Sequence, residues 1–198
     1  NVPTPTPHFG SQPLTAAEVK KVAKEDLEVL YHFAREGRKV GRVNAWRAIE
    51  AKGQLTDYTT ALALVALKDE APEVRAQACK VVTLCADDRV PDVVYGLVRR
   101  ALDTDVTVRD AAWAAFDALE KRSLPDLIIQ LGERDQDCAR IVVLVVARHG
   151  AKAAKPLYAT LDHIGPIERW NAVLTLIEID GKTLAGAHKK LCEMLRDP

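Results

Sequence analysis

Along this chain the apolar residues recur at helical spacing from a set of arginines. Anchored on Arg42, Arg75, Arg109, Arg140 and Arg169, which follow one another at intervals of 33, 34, 31 and 29 residues, the sequence falls into columns. Three places after each anchor stand Ala45, Ala78, Ala112, Val143 and Ala172, and four places after stand Trp46, Cys79, Trp113, Leu144 and Val173. Seven places after come Ile49, Val82, Phe116, Ala147 and Leu176. Offsets of three, four and seven lie on one stripe of an α-helix. Each arginine is therefore expected to open an amphipathic helix with a small residue where it crosses its neighbour most closely.

A second helix follows each first one. Sixteen places after the anchors stand Tyr58, Pro91, Pro125, Pro156 and Ala185, and proline is favoured in a first helical turn because its missing N–H has no partner there anyway. Leu64, Leu97, Leu131 and Leu191 follow at a fixed offset of twenty-two, with Leu161 one place early in the fourth repeat. Pro72 and Pro166 each lie three places before an anchor. Alternation of period two is absent except in the run IVVLVVA from Ile141 to Ala147, whose place in the register argues for a first helix rather than a strand. The pattern predicts an all-α chain of about five helical hairpins over 38–198.

Ahead of the first anchor, Thr15 and Glu18 have the spacing of a capping box, and Val19, Val22, Ala23, Leu27, Leu30, Tyr31 and Ala34 supply an apolar face. One helix over 14–37, stopped near Gly37, is expected to cap the first hairpin. Residues 1–13, NVPTPTPHFGSQP, have the composition of a flexible extended leader.

The segments DEAPEVRAQACKVV, DTDVTVRDAAWAAF and GAKAAKPLYATL resemble HEAT repeats, in particular the short HEAT-like class of phycobilisome-lyase-type proteins. The resemblance extends over about Lys39 to Arg196 and weakens in the fifth repeat, where Ala185 stands in place of proline. It implies a right-handed α-solenoid whose second helices line a concave, protein-binding face. It also implies a structural role for the arginine column, because in such folds the helix-opening arginine contacts a preceding acidic residue. Glu36, Asp69 and Asp103 precede their arginines by six places, and Asp135 precedes Arg140 by five. A ladder of interrepeat ion pairs and carbonyl contacts is the expected use of Arg42, Arg75, Arg109, Arg140 and Arg169.

Candidate chemistry is sparse. Of two serines, Ser11 falls in the leader and Ser123 where a helix cap belongs. Cys79, Cys85, Cys138 and Cys192 form neither a disulfide framework nor paired zinc ligands. Cys138 alone sits near a helix start beside an arginine, where a thiolate is favoured, but no histidine is placed by sequence to activate it. His8, His32, His149, His163 and His188 would need long-range convergence to hold a metal. No catalytic, cofactor or metal site is assigned.

Charge changes the picture only by subtraction. Lys plus Arg and Asp plus Glu both total 28, so no global field draws the chain to nucleic acid or an anionic membrane. One basic run, Arg35, Arg38, Lys39, Arg42, Arg47 and Lys52, and a smaller group, Lys182, Lys189 and Lys190, read as solvated helix ends. The longest apolar run is too short to span a bilayer.

The expected function is a non-catalytic protein-interaction scaffold. Tyr95, Arg99, Gln130, Glu133 and His163 are expected to be exposed on the concave face, and Trp170, off the core stripe, is a further contact candidate. The alternatives are a bilin-lyase-like chaperone or a HEAT-like DNA glycosylase. The latter calls for a basic channel with interior aromatic and carboxylate groups, whereas the chain is neutral and Trp46 and Trp113 fall in a core column. Unpaired cysteines favour the cytoplasm, and the start at Asn1 keeps an exported mature chain as the rival. The apolar stripe of Leu184, Leu191, Met194 and Leu195 with no further capping helix leads to the expectation of a longer protein or of self-association through that edge.

Overall fold

The structure, a computed structural model, describes residue 9 and residues 12–53, 55–162, 165–180 and 185–194. Among the described residues it is all-helical, with no strand. The run IVVLVVA is helical. Among the described residues no helix is long and apolar enough to cross a membrane. The chain divides into two compact units, 1–118 and 119–198.

The first unit holds α1 (Ala16–Val22), α2 (Leu27–Glu36), α3 (Lys39–Lys52), α4 (Asp57–Ala66), α5 (Pro72–Val81), α6 (Val90–Arg100) and nearly all of α7 (Val106–Leu119). The Thr15–Glu18 capping box forms, with each partner satisfying the other's backbone N–H. The helix it opens ends at Val22, and a separate α2 begins at Leu27 where a single helix was expected. Within the unit the first helices α3 and α5 pack on one another, α2 covers the other side of α3, and the second helices α4 and α6 form a neighbouring row. Ala45, Ala78 and Ala112 are completely buried, which lets helix axes approach closely. Their larger neighbours Trp46, Ile49, Cys79 and Val82 fill the space between, each fully buried Ile or Val contributing roughly 1.5–3 kcal/mol.

The leader falls mostly outside the described residues, but Phe9 is buried and stacks on Phe33 with ring centroids 4.1 Å apart. The buried Asn44 side chain accepts from the Leu14 N–H and donates to the Gln12 carbonyl, both at 3.0 Å, while Arg47 donates to the Leu14 carbonyl at 2.6 Å.

The second unit holds α8 (Leu124–Ile129), α9 (Gln136–Arg148), α10 (Ala154–Thr160), α11 (Pro166–Ile179) and α12 (His188–Met194). Here too first helices are neighbours, α9 with α11, and second helices are neighbours, α8 with α10. Pro72, Pro91, Pro125 and Pro166 each stand in the first two positions of a helix, as the register requires. Leu195 and the other residues beyond Met194 lie outside the described residues, as do Lys182 and Leu184.

Candidate functional site

The arginine column is where sequence and structure can be compared residue by residue. Arg42 donates to Asp69 at 2.8 Å, to Glu70 at 3.2 Å and to the Gly37 carbonyl at 3.1 Å. Arg75 grips Asp103 with two parallel hydrogen bonds of 2.8 and 2.7 Å and also donates to the Asp69 and Glu70 carbonyls. Arg109 donates to the Asp103 and Thr104 carbonyls at 2.7 and 2.9 Å. The acidic partner of Arg42 and Arg75 is thus the aspartate of the following loop. The loop before each arginine contributes backbone carbonyls instead. Asp69 and Asp103 serve both neighbours, accepting with the side chain from one arginine and with the carbonyl from the next. A planar guanidinium can satisfy such a fork where a lysine could not.

Arg140 does not join this pattern. Arg42, Arg75 and Arg169 each lie four residues after their N-cap, whereas Arg140 lies five after Asp135. That extra residue turns it about 100° round the helix. Ala139 takes the anchor place and is buried, Val142 and Val146 are completely buried, and Arg140 is exposed. Arg169 is half-buried on α11.

The sequence reading passed over a polar column two places after the anchors. Asn44 ties down residues 12–14 as described, Gln77 donates to Glu50 at 2.6 Å, and Asn171 donates to the Leu131 carbonyl at 2.7 Å. Each reaches back to a residue 27 to 40 places earlier in the chain. The signal was there: a polar residue between two apolar columns on the buried side of a helix has no other reason to recur.

Two surface grooves carry the expected contact residues. In the first unit, α4 and α6 frame a groove of about 540 Å³ lined by Leu64, Leu67, Lys68, Asp92, Tyr95, Gly96, Arg99 and Arg100. Tyr95 is 50% exposed, and the Arg99 guanidinium lies 3.9 Å from its ring centroid. Gly96 lets α6 lie close to Leu67: a Cβ there would stand 2.7 Å from Leu67 Cδ1, which would have to shift. Asp92 pairs with Arg89 at 3.1 Å and Arg100 with Asp103 at 2.9 Å.

In the second unit a groove of about 630 Å³ runs between α9 and α11, and it brings Glu133 and Trp170 together with Arg140. Gln130 is half-buried in the short turn before that groove, and His163 lies outside the described residues.

Cys79 is buried and desolvation pushes its thiol up to about 12, so it stays protonated. Cys85 and Cys138 are buried as well, and the Cys138 N–H is capped by Asp135 at 2.9 Å. His188 and Cys192, one turn apart on α12, place Nε2 and Sγ at 3.8 Å, a pairing the sequence reading missed. Among the described residues no group of three His, Cys, Asp or Glu side chains gathers to hold a metal ion. Of the basic run, Arg42 and Arg47 are bound internally and Lys39 pairs with Glu73 at 2.8 Å.

No family model matches this chain. No curated protein matches it. Among solved structures it is similar to two engineered proteins from the Northeast Structural Genomics Consortium, each 17% identical. One covers 87% of this chain and 88% of its own with a TM-score of 0.47, the other 87% and 85% with a TM-score of 0.42.

Proposed function

We propose that this chain is a non-catalytic protein-interaction scaffold, a right-handed solenoid of about five HEAT-type hairpins that binds a partner across its second helices. The observation that carries the reading is the α4/α6 groove. There Tyr95 stands half out of the surface with the Arg99 guanidinium over its ring. Tyr and Arg are among the residue types enriched at interface hot spots, Tyr because it buries large area while ordering two torsions, Arg because its planar guanidinium stacks and donates several hydrogen bonds. Val65 on α4 is 69% exposed and borders a neighbouring groove with Ala34, Arg35 and Trp46. Internal use of Arg42, Arg47 and Lys39 speaks against a polyphosphate-binding channel at the basic run.

The test is affinity capture with mass spectrometry, run in parallel on the parent and on a Tyr95→Ala, Arg99→Glu double variant of equal thermal stability. The reading expects at least one protein captured by the parent and lost from the variant, with affinity reduced about 30-fold or more, the loss typical of a hot spot. Identical captures from both chains would count against it, and so would turnover of a small molecule by the parent.

A further inference from the structure

The groove between α9 and α11 has a different origin from the one above and does not depend on that reading. Arg140 belongs by sequence to the buried arginine column, but the fourth first-helix begins one residue out of step and puts Ala139 in its place. Its guanidinium has no hydrogen bond or ion pair to a described residue, in contrast to the four-bond engagement of Arg75. Arg134 stands beside it at the same end of the groove, exposed.

The wall opposite is apolar. Trp170 is 64% exposed and Ile167 40%, and Val143 and Leu144 close the floor. Two carboxylates also border the groove. Glu133 is turned to its own loop, accepting from the Arg134 and Asp135 N–H groups at 2.9 and 3.2 Å, and Glu178 is exposed near the C-terminal end of α11. Arg134 and Arg140 therefore supply the groove with two cations that have no ion pair to a described residue, and the exposed Trp170 indole shares the same lining.

We propose that the α9/α11 groove is a docking site for a peptide segment of a partner that pairs a bulky apolar side chain with an acidic one. The apolar side chain lies against Trp170, Ile167 and Leu144, and the carboxylate is held by Arg140 with Arg134 beside it. Guanidinium groups suit this task because their paired N–H donors match a carboxylate's two oxygens. Neither arginine has to break a bond to a described residue to do it.

The experiment is selection of a displayed random-peptide library on the intact chain, followed by affinity and tryptophan-fluorescence titration of the enriched peptides. Arg140→Glu and Trp170→Ala serve as comparison chains, and both replace exposed side chains, so circular dichroism should match the parent. Enriched peptides are expected to carry Asp or Glu within a few residues of Leu, Ile, Phe or Trp, and to perturb Trp170 emission. They should lose about tenfold or more in affinity on either variant, a difference of about 1.4 kcal/mol. Exchanging the peptide's acid for Lys should restore binding to Arg140→Glu. Basic or purely apolar selected peptides, or peptides indifferent to both substitutions, would overturn the proposal. A concentration-dependent dimer dispersed by Trp170→Ala would do so too, since it would make a second copy the occupant.

Discussion

At Asp103 two tendencies compete. Burial by itself would raise the pKa of its carboxyl, but the hydrogen bonds from Arg75 and the Asp105 N–H, with the charges of Arg75 and Arg100, hold it below the ordinary carboxylate value. A carboxylate depressed in the folded state adds stability that is complete above its unfolded pKa, about 3.9, and is lost as pH falls through the folded value. Arg75→Ala should therefore cost about 2–4 kcal/mol near neutral pH, as expected when one partner of a buried pair is removed. Arg140→Ala should cost close to nothing, since its side chain is exposed and outside the ladder. Denaturant melts of both variants beside the parent decide this. Equal losses for the two would contradict the account of the column. The same melts below about pH 4 should show the Arg75→Ala deficit shrinking; a deficit that grows in acid would mean Asp103 is not the partner that matters.

The helices illustrate which signals were legible and which were not. Periodicity and the proline column were enough to place the helices α3 to α11, because each rests on local sterics that tertiary contacts reinforce. The break between α1 and α2 at residues 23–26 was hidden, since Lys24, Glu25 and Asp26 suit a helix surface as well as a turn. The slip in the fourth repeat was visible but misread. Leu161 sits one place early when counted from Arg140 and at the regular offset when counted from Ala139, the residue that the packing puts in the anchor position. The ladder's direction was not legible at all, because sequence order cannot say whether an arginine reaches the loop before it or the loop after it. At the end of α3 the backbone sets its own demand: Gly53 has φ of 70°, and a Cβ there would meet nothing within 4 Å. Gly53→Ala should cost about 1–2 kcal/mol through left-handed strain alone. A thermal melt with no loss would show that α3 can end another way.

For the molecule as a whole, the claim to test is that a partner is met by the second helices of the first unit. The measurement that bears most directly on function is hydrogen–deuterium exchange of the chain alone and with the captured partner. The account expects new protection concentrated on α4 and α6, centred on Tyr95 and Arg99, with the buried first helix α5 unchanged. Protection confined to α2 and α3, or none on α6, would contradict it.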